Sequence, residues 1–129
     1  MLESIGPERD PLTNSIIGAA IAVHRNLGPG LLESIYEACL TWELQERGVG
    51  VEQQVAVPVI YKGHQLRVAY RVDLVVERSV IVEVKAVDRL HPLTDAQVLT
   101  YLKLSGLKTA LVLNFNVGLL RDGVRRLVL

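Results

Sequence analysis

Apolar residues recur at Ile16, Ala20, Val23 and Leu27, a spacing that places them on one face of a helix over residues 11–27. Asp10-Pro11 opens that helix, with Asp as N-cap and Pro at the first helical position. Gly28-Pro29-Gly30 stops it and turns the chain. A second helix is predicted from about Leu31 to Arg47, with Leu32, Tyr36, Leu40 and Leu44 on one stripe, and Gly48 and Gly50 end it. The period then shortens to two. Val51 to Tyr61 alternates, and Pro58 within it favours an edge strand or a bulge. Lys62-Gly63-His64 reads as a hairpin turn, after which Leu66, Val68, Tyr70, Val72 and Leu74 alternate. A third strand runs from Val80 to Val87. A helix follows from near Pro92-Leu93-Thr94 to about Ser105, closed by Gly106. Thr109 to Phe115 reads as a short strand, Asn116 to Gly123 as a loop and Val124 to Val128 as a last strand, while residues 1–9 read as a loose arm. The order α-α-β-β-β-α-β-β predicts one α/β domain, a mixed central sheet flanked by helices.

Composition narrows the possibilities. A chain of 129 residues, half of them hydrophobic, can build one core without disulfides. Fourteen acids balance fourteen bases, which argues against coating nucleic acid by bulk attraction but leaves room for a local basic patch. Cys39 is the only cysteine, so an internal disulfide and a thiolate zinc cluster within one chain are both excluded. No apolar run approaches the roughly 20 residues of a membrane helix. The polar, acidic N-terminus is unlike a signal or transit peptide, and a cytoplasmic location is the expectation.

The candidate chemistry lies between Arg71 and Ala86, where two Val- and Ile-rich runs flank the polar trio Glu77-Arg78-Ser79. Asp73, Glu83 and Lys85 sit among these β-branched residues, although an unpaired buried charge costs several kcal/mol or more. A hairpin turning at the trio brings Asp73 within reach of Glu83, and alternation points Glu83 and Lys85 the same way. Hard Mg²⁺ or Mn²⁺ takes such oxygen ligands, with the Val84 carbonyl as a possible third, and Lys85 would orient or deprotonate water or face phosphorane charge. The competing reading is a structural ion pair between Lys85 and one carboxylate, which leaves the other carboxylate uncompensated.

Elsewhere, Glu33 and Tyr36 are spaced i, i+3 and share a helix face, although singly they read as a first-turn acid and a core aromatic. Gln97 and Tyr101, at i, i+4, could hold water and phosphate, or be plain surface. Arg71 is a candidate for phosphate contact or for balancing an acid. His24 is better suited to packing or a helix end than to a hard metal. His64 reads as a solvent-facing turn residue, His91 has no fixed role, and Cys39 reads as a small buried residue. Trp42 is a single helical aromatic, and Arg121, Arg125 and Arg126 default to a solvated face.

Taken together these residues resemble the GxxExxY proteins, a branch of the PD-(D/E)xK nuclease superfamily. Gly30-Leu31-Leu32-Glu33-Ser34-Ile35-Tyr36 fits the signature. Val23 to Gly30, Tyr70-Arg71-Val72-Asp73, Glu83-Val84-Lys85-Ala86, Gln97 with Tyr101, and Leu113-Asn114-Phe115-Asn116 extend the likeness from about Asn14 to Leu127. The resemblance implies a restriction-endonuclease-like core. It puts Asp73, Glu83 and Lys85 at the superfamily's metal and catalytic positions, Glu33 at the added helical acid, and Gln97 and Tyr101 at the QxxxY element of RecB-like nucleases. Val72 stands where a proline is usual. The expectation is therefore a Mg²⁺- or Mn²⁺-dependent nuclease of DNA or RNA, with Asp73, Glu83 and Glu33 on the metal. Lys85, Gln97 and Tyr101 would work beside it, with Tyr36, Arg71 and His24 as possible support. The alternatives are a catalytically silent nucleic-acid- or protein-binding module with the same fold, and a hydrolase of a small phosphoester. A homodimer could span a duplex.

Overall fold

The computed structural model describes residues 2–3 and 10–129, Leu2 and Glu3 by backbone alone. Three α-helices, α1 (Pro11–Leu27), α2 (Glu33–Glu46) and α3 (Thr94–Ser105), flank a sheet. Its strands are β1 (Leu2–Glu3), β2 (Val51–Tyr61), β3 (His64–Val76), β4 (Val80–Lys85), β5 (Thr109–Asn114) and β6 (Val124–Val128). They lie in the order β1-β6-β5-β4-β3-β2. Among the described strands only β4 and β5 run parallel, joined by the α3 crossover, so the sheet is mixed as expected. A 3₁₀ turn at Leu120–Gly123 leads into β6. The loose arm expected over residues 1–9 lies outside the described residues except for Leu2–Glu3, which pair with β6.

Each helix forms for a local reason and is then held by burial. The Asp10 carboxylate accepts from the Leu12 and Thr13 amides at the start of α1. Gly106, at φ 79°, closes α3 in the left-handed conformation that glycine adopts without penalty. One core packs Ile16, Ala20 and Val23 of α1 and Tyr36, Leu40 and Leu44 of α2 onto Leu74, Val82, Val84, Leu111 and Leu113. A second packs Val98, Tyr101 and Leu102 of α3 onto Val72, Ile81, Val112 and Leu127. β4 and β5 are covered on both faces, which is why they read as unbroken apolar runs. The expected stripe on α2 is corrected at one end: Leu32 precedes the helix and is 70% exposed. The third strand stops at Lys85 rather than Val87, because Asn114 takes both backbone groups of Val87.

Beyond this core the β2–β3 hairpin continues outward. β2 is an edge strand, and its register shifts between Pro58 and Ile60, so Pro58 has both of the positions it favours. Gln54 lies in the left-handed region at φ 52°. On either side of it the two faces exchange: Val51 packs on the α1/α2 core, whereas Val55 and Val57 pack on the α3 core. The partner strand does the same, with Leu74 on the first core and Val72 on the second. Alternation fails next to Asp73.

Gly123 is wedged under β5. A Cβ built there would stand 2.0 Å from the Asn114 carbonyl oxygen, a backbone atom with no rotamer to change. We expect Gly123→Ala to cost about 1–3 kcal/mol, the range of an overpacked core. Urea denaturation of the two proteins checks this, and an unchanged midpoint would contradict it.

Candidate metal and catalytic site

The ladder between β3 and β4 pairs Val76 with Val80, Val75 with Ile81 and Leu74 with Val82, and there it ends. One position further on stand Asp73 and Glu83. Their side chains take over where the strands part. The Asp73 amide donates to Glu83 Oε1 at 3.0 Å, and the Val84 amide donates to Asp73 Oδ2 at 2.8 Å. Past them the Ala86 amide donates to Glu33 Oε2 at 3.1 Å, from the first turn of α2. Three carboxylates thus satisfy three backbone donors at one point of strand divergence.

Glu33 is brought there by Tyr36. The Tyr36 ring is fully buried and stacks on Phe115 with centroids 4.5 Å apart. Its hydroxyl donates to the Gly28 carbonyl at 2.5 Å and accepts from the Leu31 amide at 3.1 Å, fixing the loop that leads to Glu33. His24, also buried, joins the Val117 carbonyl through Nε2 at 2.8 Å. Both side chains are buried and bond to backbone of the surrounding loops rather than to the carboxylates.

Burial pushes the Glu83 carboxyl up to about 7, and the charge of Asp73 pushes the same way. The Asp73 amide and the Lys85 ammonium oppose them, while Glu37 adds to the rise. Lys85 ends β4 half-buried and makes no ion pair among the described residues, so the simple Lys85–carboxylate pair is not formed. Tyr101 is pushed up to about 12, first by burial and then by Glu83, Tyr70 and Asp73, so it stays a phenol next to the carboxylates. Gln97, one turn earlier on α3, is exposed and makes no side-chain hydrogen bond among the described residues.

Gln54, Glu37 and Asn114 join the site although none of them has a role assigned from sequence, and Arg71 takes a different one from those expected of it. Gln54 Nε2 spans two acids, donating to Glu37 at 2.9 and 3.1 Å and to Asp73 Oδ1 at 3.3 Å. Arg71 Nη1 donates to the Gln54 carbonyl at 2.8 Å, so Arg71 braces this left-handed residue. Asn114, buried at the end of β5, accepts from the Val87 amide and donates to its carbonyl, pinning the chain just beyond Lys85. Two signals were present in the sequence: Glu37 follows Glu33 at i, i+4, and Asn114 is a polar residue closing an apolar run. Arg125 and Arg126 pair instead with Asp95 and Asp10, away from this cluster.

Does the donor set suit a hard cation? Among the described residues no three Asp, Glu, His or Cys side chains converge as a ready-made ligand group. Mg²⁺ does not require one: it commonly binds through one or two carboxylates and keeps several waters. Asp73 and Glu83 provide two such groups, and their mutual repulsion falls when a cation sits between them. The residues fit.

A family model described as the PD-(D/E)XK nuclease superfamily matches residues 10–127. No curated protein and no solved structure matches the chain. No helix of the described residues is long and apolar enough to cross a membrane.

Two outcomes follow from this geometry. A carboxyl raised from 4.5 to about 7 contributes stability below pH 4.5 that is lost as pH rises through 7. Metal-free wild type should therefore lose on the order of 3 kcal/mol more than Glu83→Gln between pH 4.5 and 8, measured by denaturant titration in EDTA. Equal pH dependence would refute the assignment. Tyr36→Phe keeps the stack on Phe115 but strands the Gly28 and Leu31 backbone groups, at a cost of about 1–2 kcal/mol; a thermal melt reads the loss.

Proposed function

The chain belongs to the PD-(D/E)XK nuclease superfamily, and from that premise we propose that it hydrolyses phosphodiester bonds of DNA or RNA with Mg²⁺ or Mn²⁺. Nuclease-type function and divalent-metal use go with the membership. The signature from Gly30 to Tyr36 points to the GxxExxY branch within it. The observation that carries the reading is the facing pair Asp73 and Glu83 at the parting of β3 and β4, with Lys85 two residues on.

In this reading Asp73 and Glu83 hold the cation, with the Val84 carbonyl and Glu33 as further oxygen donors close by. A bound divalent cation supplies Lewis-acid charge at the phosphate and makes water a better nucleophile. Lys85 orients that water and faces the negative charge that grows on the phosphate. Gln54 and Arg71 keep Asp73 in place, and Asn114 keeps Lys85 in place by pinning Val87. The Tyr101 phenol stands next to the two acids as a neutral donor to a phosphate oxygen. Gln97 lies on the exposed side of α3, where incoming substrate or water would meet it.

A second reading has one observation in its favour. Among the described residues no three Asp, Glu, His or Cys side chains are arranged so that together they could hold a metal ion, as a module that binds without cutting would allow.

Cleavage of labelled single- and double-stranded DNA and RNA, with bis(4-nitrophenyl) phosphate as a small ester, separates the two. With Mg²⁺ or Mn²⁺ we expect product that EDTA abolishes and that Asp73→Ala and Lys85→Ala each reduce at least about 100-fold. Turnover of the small ester alone would move the substrate class. Absence of cleavage and of metal binding, in protein that folds, would leave the binding module.

A further inference from the structure

Residues 53–72 contain Lys62, Arg67 and Arg71 and not one of the chain's fourteen acids. Because the whole chain is neutral, the remainder carries a formal charge of −3. This segment is the outer part of the β2–β3 hairpin. His64 to Arg71 are all exposed, and β2 is exposed at Pro58, Ile60 and Tyr61. At roughly 3.3 Å per residue, the turn at Lys62-Gly63 stands about 30 Å from Asp73. The arm therefore starts at the carboxylate cluster and leaves it as a two-stranded ribbon.

The two faces of the ribbon differ. Alternation puts Arg67 and Arg71 on one face, and Leu66, Val68 and Tyr70 on the other. Tyr70 meets Tyr101 at 5.0 Å between ring centroids, so the second face continues onto α3. Tyr61 and Lys62 share the tip, with the ammonium 5.5 Å from the ring centroid. Five of the eleven exposed large apolar side chains among the described residues lie on this arm, so something covers it in use.

We propose that this arm is the element that holds nucleic acid, its cations neutralising phosphates along a strand that leads to Asp73 and Glu83. The proposal rests on the nuclease reading and gives it a binding surface. Three arguments favour this occupant over a second copy of the chain. The site itself links Glu37 to Asp73 through Gln54 and sets Asp73, Glu83 and Glu33 on neighbouring backbone amides, with Lys85 opposing them at Glu83, so without bound cation it repels phosphate, and the attraction has to come from elsewhere. The acid-free outer hairpin, with its three cations, is directly continuous with the site through Asp73. Two arms laid against each other would bring like charges together, whereas a polyphosphate complements them. A two-stranded ribbon also fits a major groove, and exposed tyrosines offer bases a stacking surface.

The test is fluorescence anisotropy with labelled 20-nucleotide single- and double-stranded DNA and RNA, in EDTA, over a range of salt. The proteins are wild type, Lys62→Glu with Arg67→Glu, Lys62→Gln with Arg67→Gln, and Lys103→Glu with Lys108→Glu. The last pair are exposed cations off the arm and make the same change in net charge as the first. Both arm variants should bind at least about 10-fold more weakly, with a salt slope smaller by about 2, at unchanged melting temperature. The Lys103/Lys108 variant should lose far less. Equal weakening by both charge reversals would assign binding to bulk charge and overturn the proposal. So would wild-type affinity in the arm variants while cleavage persists, and in that case the nuclease reading would stand. A protein that neither binds nor cleaves any of the polymers loses both readings. A wild-type dimer that Leu66→Ser with Val68→Ser makes monomeric, at undiminished nucleic-acid affinity, would give the arm to a second copy.

Discussion

The structure depends on where one ladder stops. β3 and β4 exchange backbone hydrogen bonds as far as Leu74 and Val82, and beyond that pair side-chain carboxylates do the work of a strand. Asp73 and Glu83 each take a part-buried amide that would otherwise be left without a partner, at about 1–3 kcal/mol apiece, and Glu33 takes the exposed amide of Ala86. The acids are therefore caps on the backbone as well as candidate ligands. Strands that stayed paired would have no need of them, and strands that parted without them would expose unsatisfied donors.

This arrangement concentrates negative charge. Glu37 and Asp73 share the amide of Gln54, Glu83 is buried beside Asp73, and the pull of the Lys85 ammonium on Glu83 does not outweigh burial and the neighbouring acids. Near neutral pH the cluster has two ways to relax: Glu83 keeps a proton, or a cation enters. Gln54 adds a backbone cost, since a non-glycine residue at φ 52° is disfavoured by roughly 1–3 kcal/mol. Its side chain and the Arg71 bond to its carbonyl offset that cost, and both contacts lead to Asp73.

Most of the fold was legible because period and punctuation agree. Asp10-Pro11 and Gly28 bound α1 where the spacing of Ile16, Ala20 and Val23 puts it, and Pro58 lies on an edge strand at a register shift. Misses occur where a tertiary contact overrides the local pattern. Leu32 matches the helical stripe but lies before the helix, in a loop that Tyr36 holds. Val87 reads as strand until Asn114, 27 residues on, claims it. The nearness of Asp73 and Glu83 could be read from a hairpin turn flanked by charges in apolar runs. The parts played by Gln54 and Glu37 could not, because they arise from an exchange of faces that no alternation pattern contains. Tyr36 and Glu33 share a helical spacing, yet one turns into the core and the other out to β4.

Pro58 has one more consequence. An exposed strand of eleven residues with apolar neighbours is a natural template for another chain to add to, and repetition of that step makes insoluble fibrils. Pro58 has no amide hydrogen to offer, and the shifted register beside it bends the rail on which an incoming strand would have to lie flat. The edge of β2 is thus guarded against an added strand at the point where the hairpin leaves the core.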